Sequence, residues 1–103
     1  MIIEFINSYL EKLFEGKQVT GKPKYGLDVI AKFKKTVLML KNIESINELK
    51  KFRGLNFEAL KGDYKGYFWV RVDIQFRLIL SLESNKLTIT DVLIIENLTN
   101  HYQ

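Results

Sequence analysis

Hydrophobic residues recur with two different periods along this chain, and the period changes near Gly54. Over residues 7–16 and 27–43 they recur every three or four positions, which is the spacing of amphipathic helices. A shorter segment with a helical pattern follows at residues 45–52. Residues 16–26 contain three of the six glycines and the only proline, so they are predicted to form a loop.

Residues that favour helix ends stand at the borders of these segments. Asn7 or Ser8 can cap the first helix, and Gly16 can end it in a left-handed conformation. Ser45, with Glu48 three residues later, predicts the capping box of a short third helix. The helical part of the chain is therefore predicted to hold three helices.

After Gly54 the pattern becomes alternating and rich in β-branched and aromatic residues, which predicts strands. The predicted strands cover residues 56–61, 67–72, 76–82 and 86–95, and residues 1–6 form a short strand or an extended arm. Helices before strands predict an α+β fold, with the N-terminal helices packed on one face of a small antiparallel β-sheet. The other face is then free to bind a ligand. No repeat or linker interrupts the chain, so residues 1–103 are predicted to be one domain.

The alternation of apolar and polar residues predicts how the strands of residues 67–72 and 76–82 pair. A three-residue connection, Asp73–Gln75, pairs Val72 with Phe76 and therefore Arg71 with Arg77. The two arginines then lie directly opposite each other on the face away from the core. Like charges at opposed positions destabilise a strand pair, so either carboxylates neutralise the arginines or an anion binds there.

The preceding hairpin is predicted to add to this surface. If residues 62–66 form its loop, Lys61 pairs with Tyr67 and joins the arginine face, which also holds Trp69. Lys65, in the loop itself, is a further cationic candidate. Cations beside aromatic rings suit single-stranded nucleic acid, because phosphates meet charge and bases stack on rings. An ordinary solvated sheet face is the competing interpretation.

Composition narrows the chemistry further. The net charge of +4 and the sequence pI of about 9.3 favour a polyanionic partner. The chain has no cysteine and a single histidine, so disulfides and thiolate metal sites are excluded and no metal or other cofactor is expected. No apolar run is long enough to cross a membrane and the N-terminus lacks the features of a secretory signal, so a cytoplasmic location without a membrane partner is expected.

The last residues carry side chains suited to acid–base chemistry. Histidine, here His101, is the side chain type best suited to proton transfer near neutral pH, and Tyr102 can donate a hydrogen bond, stack on a base, or act as a base beside cations. Lysine and arginine can stabilise charge that develops on a phosphate. Together these groups are the components of a metal-free ribonuclease, whereas a frayed terminus is the alternative interpretation of the tail.

The segment "LKGDYKGYFWVRVDIQFRLIL" resembles the LKGD-to-arginine core of the HigB toxins, which are RelE-like mRNA interferases of the RelE/ParE superfamily. "LEKLFEGKQVTGKPKYGLDVIAKFKKTVLMLKNI" is similar to the family's N-terminal helices, and "NHYQ" to a tail of some members. The resemblance covers nearly the whole chain. It implies a RelE-like, microbial ribonuclease-type fold and an endoribonuclease toxin that cuts mRNA on the bacterial ribosome without a metal. Translation and growth would stop, and a cognate helix-turn-helix antitoxin, HigA-like, would neutralise the toxin.

The resemblance also assigns roles to individual residues. It implies that Lys61 binds phosphate, that Arg77 holds the scissile phosphate, and that His101 and Tyr102 serve as general acid or base and as a stacking platform, in either order. Arg71, Lys65, Trp69 and Tyr67 are then expected to bind RNA.

Two positions depart from the family pattern. Glu58 stands where some relatives carry an active-site histidine, and the predicted register turns it towards the core. Asn100 stands near an acidic position of other members and cannot act as a base. The same fold could instead serve a ParE-like poison of DNA gyrase, or a non-catalytic basic domain that binds RNA or a protein partner. The His101–Tyr102 pair favours the nuclease.

Overall fold

The structure is a computed structural model and describes residues 1–94, without the side chain of Ile94. Within this range the chain forms three α-helices: α1 (Ser8–Glu15), α2 (Leu27–Asn42) and α3 (Ile46–Lys51). The same range forms five strands: β1 (Ile2–Phe5), β2 (Glu58–Ala59), β3 (Phe68–Arg71), β4 (Phe76–Glu83) and β5 (Lys86–Ile94). Short 3-10 turns cover Arg53–Leu55 and Gly62–Tyr64.

The predicted helix ends are confirmed. Asn7 caps α1, because its side-chain oxygen accepts a hydrogen bond from the Leu10 backbone N–H at 3.0 Å. Gly16 ends α1 with a φ of 75°, a left-handed conformation that glycine adopts without steric cost. At α3, the Ser45 hydroxyl accepts from the backbone N–H of Glu48 at 3.3 Å, which is one half of a capping box, whereas the Glu48 carboxylate accepts from the backbone N–H of Glu44 at 3.1 Å and not from that of Ser45.

The strands of the described range form one sheet in the order β1-β5-β4-β3-β2. Strands β2 to β5 pair antiparallel, which confirms the predicted arrangement of the second half of the chain. Strand β1 pairs with β5 in the parallel sense, so the sheet is mixed. The parallel pairing is possible because the helical segment carries the chain across the sheet between the two strands.

The core lies between the helices and one face of the sheet. Its fully buried members come from both layers: Leu10, Val37, Leu40, Ile43 and Leu49 from the helices and the residue after α2, and Val70, Leu78, Leu80, Leu87 and Ile89 from the sheet. Burial of these side chains supplies most of the driving force for packing helices on the sheet. The opposite face of the sheet, here called the outer face, presents the alternate residues of each strand.

Candidate active site on the outer sheet face

The β3–β4 hairpin places two arginines side by side on the outer face. Arg71 lies directly opposite Arg77, as predicted. The Val72 backbone N–H donates to the Phe76 carbonyl at 3.0 Å, so the connection is the predicted three residues. Phe76 turns inwards and is nearly buried. The burial of Phe76 on one face thus fixes the outward direction of its neighbour Arg77.

The carboxylate of Asp73 builds the turn of this hairpin. Its Oδ1 atom accepts hydrogen bonds from the backbone N–H groups of Gln75 and Phe76, both at 2.8 Å. Aspartate favours turns because its side chain can replace a backbone acceptor in this way. The turn therefore holds the start of β4, and with it Arg77, in a defined position.

The guanidinium of Arg77 is held by its surroundings. Its Nη1 atom donates to the carbonyl of Asp73 at 2.7 Å and to that of Phe76 at 3.2 Å. Its Cζ atom lies 5.9 Å from the ring centre of Trp69, within range of a cation–π interaction. Burial and then the charge of Arg71 lower the pKa of Arg77, and the carboxylates of Asp73 and Glu58 oppose that shift. Arginine nevertheless stays protonated near neutral pH.

Within residues 1–94, neither Arg71 nor Arg77 forms a salt bridge with a carboxylate. The two like charges are thus opposed on neighbouring strands without direct ionic compensation, which is unfavourable in the absence of an anion. Each planar guanidinium has five N–H donors. Two guanidiniums side by side can donate hydrogen bonds to several oxygens of one phosphate. The arrangement can therefore bind a phosphate group on the outer face.

The β2–β3 register corrects two of the sequence predictions. Glu58 pairs with Trp69, and the Leu60 backbone N–H donates to the Tyr67 carbonyl at 2.9 Å. The predicted pairing of Lys61 with Tyr67 is therefore wrong by one residue. The alternation then places Glu58, and not Lys61, on the arginine face.

A longer loop causes this change of register. The 3-10 turn Gly62–Tyr64 and the positive φ of Gly66 let the chain reverse over residues 61–66 instead of 62–66. Lys61 precedes the 3-10 turn and is exposed, and Lys65 follows it and is also exposed. Both cations border the loop and do not extend the row of arginines.

A row of four residues crosses the outer face beside the arginines. Strand pairing aligns Glu58, Trp69, Ile79 and Asp91, with a carboxylate at each end. Ile79 is only 1% exposed although it lies on the outer face, where it pairs with Trp69 on the neighbouring strand. Glu58 and Asp91 are both exposed.

Asp91 is a residue that sequence reasoning missed. The β4–β5 register shifts between Ile79 and Leu80, which makes Thr90 an extra residue and turns Asp91 outwards. The Thr90 hydroxyl donates to the Ile79 carbonyl at 3.3 Å. The signal available in the sequence was the polar pair Thr90–Asp91 in an otherwise apolar strand.

Aromatic side chains border the arginines on the loop side. Tyr67 is partly exposed and meets Tyr64, also missed by the sequence analysis, in an edge-to-face contact with ring centres 6.3 Å apart. Trp69 lies between Tyr67 and Arg71 on the same face of β3. These rings offer surfaces on which nucleobases can stack.

The remaining predicted site residues, Asn100, His101 and Tyr102, lie outside the described residues. In the part of the chain that the structure describes, no group of three or more histidine, aspartate or glutamate side chains is placed to hold a metal ion. No helix within residues 1–94 is long and apolar enough to cross a membrane. The described site thus offers two guanidiniums for an anion, carboxylates for proton transfer and rings for stacking.

Comparison with known proteins adds a family match. Residues 3–94 match the family model described as the RelE-like toxin of the type II toxin–antitoxin system HigB. A comparison with curated proteins gave no match.

Solved structures with the same fold are more distant in sequence. YafQ from E. coli is 19% identical, with 98% of this chain and 97% of that chain covered and a TM-score of 0.57. A chain of the YoeB–YefM complex from Staphylococcus aureus is 19% identical, with 93% and 98% covered and a TM-score of 0.59. A chain of the RelB–RelE antitoxin–toxin complex from Methanococcus jannaschii is 16% identical, with 97% and 99% covered and a TM-score of 0.59. At these identities the likeness establishes the α+β fold, as predicted.

Proposed function

This chain belongs to the HigB-like toxins, the RelE-like toxins of type II toxin–antitoxin systems, and from this premise we propose that it is an endoribonuclease that cuts mRNA on the bacterial ribosome. The observation that supports the proposal most directly is the Arg71–Arg77 pair. The two cations are opposed on neighbouring strands, have no salt bridge among residues 1–94, and one of them is held by backbone carbonyls, which supports binding of the scissile phosphate at this place.

In the proposed reaction the ribose 2′-oxygen attacks the adjacent phosphorus. A new O2′–P bond forms, the P–O5′ bond breaks, and the product carries a 2′,3′-cyclic phosphate. Arg77 and Arg71 bind the non-bridging oxygens and stabilise the negative charge that grows on them. Because arginine supplies this charge stabilisation, the proposed chemistry needs no metal.

Glu58 is proposed as the base that takes the proton of the 2′-OH. It lies on the arginine face through its pairing with Trp69, and its charge acts on Arg77. A carboxylate within reach of the substrate is one of the side chain types that serve as a general base. The proton that the leaving 5′-oxygen needs is proposed to come from His101 or Tyr102.

Substrate binding is proposed to extend along the same face. Trp69, Tyr67 and Tyr64 offer rings for the bases next to the cleaved bond. Lys61 and Lys65 border the loop and are proposed to bind phosphates further along the strand. The RNA would then run from the loop of residues 61–66 towards the β3–β4 turn.

The protein that inhibits this toxin is proposed to be a cognate antitoxin of the helix-turn-helix, HigA-like type. The related YoeB and RelE chains were solved in complexes with YefM and RelB. We also propose that residues 1–103 act as one domain in the cytoplasm, where ribosomes and mRNA are found.

The experiment is a cleavage assay on mRNA-programmed bacterial ribosomes, with mRNA alone and with chelator as parallel arms, mapped by primer extension. We expect cleavage only with ribosomes, unaffected by chelator. Arg77→Ala should reduce the rate at least a hundredfold, because the charge that stabilises the transition state is removed. Since Arg77 is only partly exposed, circular dichroism is used to verify that the variant keeps its fold. The double variant His101→Ala/Tyr102→Ala should also be inactive.

The matched control is Arg53→Ala, which removes an exposed arginine of the 3-10 turn before β2 and should cleave at the wild-type rate. Full activity of a folded Arg77→Ala protein would contradict the site assignment. A folded, growth-arresting protein that cuts no RNA would contradict the ribonuclease proposal and point to DNA gyrase or another target.

A further inference from the structure

The positive charge of the molecule is concentrated in its helical part. Residues 8–55 contain eleven lysines and arginines against five aspartates and glutamates, a surplus of six. Residues 56–94, which form β2 to β5, contain five of each, so their net charge is zero. The surplus that suggested a polyanionic partner therefore comes from the helices and the loop between α1 and α2, and not from the strands that carry the candidate active site.

Helix α2 presents a narrow apolar stripe to solvent. At 100° per residue, Leu27, Ala31 and Leu38 lie within about 40° of one another around the helix axis. All three are exposed, Leu27 to 86% and Leu38 to 52%. We name these three residues the α2 stripe. Leu27 and Leu38 lie about 16 Å apart along the axis, which matches three turns of a partner helix.

Lysines flank the α2 stripe on both sides. Lys35 and Lys32 lie on one side of it, and Lys34 and Lys41 lie on the other. Asp28 is the lone carboxylate among residues 27–42. An apolar seam between two cationic edges complements an amphipathic helix whose apolar face carries acidic residues on both flanks.

We propose that the α2 stripe and its lysines form the docking surface for such an acidic amphipathic helix, contributed by the antitoxin. This inference rests on the proposed function, which supplies an antitoxin as partner. A protein helix fits this surface better than RNA does. RNA phosphates would bind the lysines but would leave the apolar side chains of Leu27 and Leu38 exposed to water.

The position of the stripe has a direct consequence for the complex. Helix α2 packs its opposite side, including Val37 and Leu40, on the sheet, and the arginines lie on the far face of that sheet. An antitoxin helix on the α2 stripe is thus separated from Arg71 and Arg77 by both layers of the fold. The surface binds the antitoxin without covering the phosphate site.

The test measures binding of the purified toxin to the protein encoded by the reading frame next to its own, by titration calorimetry. Leu27→Glu/Leu38→Glu should weaken binding at least tenfold, because it places carboxylates against the acidic flanks. Lys35→Glu/Lys41→Glu should weaken it similarly and reduce its dependence on salt. The matched control, Ile2→Glu/Ile6→Glu, changes residues of similar exposure, 69% and 67%, at β1 and should bind within threefold of wild type. Circular dichroism verifies each fold.

Several results would overturn the inference. Wild-type binding by the folded stripe variant, or no binding by the wild-type toxin itself, would do so. Reduced binding to 30S subunits with unchanged antitoxin binding would assign the surface to RNA, and a changed oligomeric state of the toxin alone would assign it to a second copy. If the wild type binds through the α2 stripe but cuts no mRNA, the ribonuclease proposal fails and the docking surface stands. If the wild type cuts mRNA but the stripe variant binds the antitoxin like the wild type, the docking surface fails and the ribonuclease proposal stands.

Discussion

At the scale of single residues, the outer face is defined by how a few polar groups are held. Arg77 is fixed by two carbonyls and lies over Trp69, whereas Arg71 faces it across the strand pair. A guanidinium whose position is fixed before substrate arrives loses little conformational freedom on binding. This pre-organisation distinguishes Arg77 from the exposed lysines of the loop.

The role of Glu58 can be tested by removing its charge while keeping its shape. Glu58→Gln should lower the rate of mRNA cleavage by about a hundredfold to ten-thousandfold, because a general base typically contributes that factor. Glu83→Gln, an exposed carboxylate on the same sheet face, is the control and should retain the wild-type rate. Equal rates for wild type and Glu58→Gln would rule out this role.

Tyr25 gives the fold a dependence on alkaline pH. Burial raises the pKa of Tyr25, with smaller contributions from Asp91 and Tyr9. The Tyr25 hydroxyl therefore loses its proton at a lower pH in the unfolded chain than in the folded chain. Its contribution to the free energy of unfolding is complete below about pH 10 and decreases as the pH rises further. In Tyr25→Phe the free energy of unfolding should fall less between about pH 9 and pH 11, measured with urea. The exposed Tyr64→Phe should keep the wild-type slope; an unchanged slope in Tyr25→Phe would contradict the explanation.

Sequence reasoning reached some of these residues and missed others for a physical reason. The pairing of Arg71 with Arg77 was predictable because a one-residue slip would have turned the apolar partners of the hairpin outwards. The β2–β3 pair offered no such constraint, since β2 has two residues, both exposed. Glu58 was therefore assigned to the wrong face. Asp91 was missed because a bulge is not visible in simple alternation.

At the scale of elements, the turn between β3 and β4 connects stability with the site. Asp73 bonds two backbone N–H groups through its side chain and the Arg77 guanidinium through its carbonyl. The same residue therefore closes the hairpin and positions the cation. The helix caps at Asn7 and Ser45 were predictable for a related reason, because caps and turns depend on local sequence.

Removal of the Asp73 side chain should affect both properties. Asp73→Ala should lower the free energy of unfolding by about 1–3 kcal/mol, because two hydrogen bonds to a charged acceptor are lost. Cleavage should fall as well, since the start of β4 loses its anchor. Urea denaturation and the ribosome assay measure the two effects. Asp63→Ala, at the exposed 3-10 turn, should change neither by a comparable amount, and an equally stable Asp73→Ala protein would contradict the proposed role of the turn.

At the scale of the whole molecule, the helical layer and the sheet differ in the surfaces that they present. The sheet provides the arginine face, the helices cover the core, and the helices together with the loop of residues 16–26 carry the charge surplus. The α+β arrangement followed from the order of periodicities in the sequence. The parallel pairing of β1 did not, because it depends on contacts between residues about eighty positions apart.

The shared core should determine global stability, and the α2 surface should not. Leu80 is fully buried between β3 and β5, so Leu80→Ala should lower the free energy of unfolding by about 2–5 kcal/mol. Leu38→Ala, on exposed helix surface, should change it by less than about 0.5 kcal/mol. Chemical denaturation of the two variants measures both values. A large loss in Leu38→Ala would indicate that α2 is packed differently from its position in the structure.

The parallel pairing of β1 with β5 also sets the order in which the protein can assemble during its own synthesis. Ile2–Phe5 leave the translating ribosome early, but their pairing partner begins only at Lys86. At a translation speed of about 5–20 residues per second, β1 waits for roughly 4–16 seconds before the partner strand is made. Over that interval β5 cannot yet flank β4, which carries Arg77. Strand β1 can therefore join the sheet only when synthesis of β5, the last strand of residues 1–94, is nearly finished.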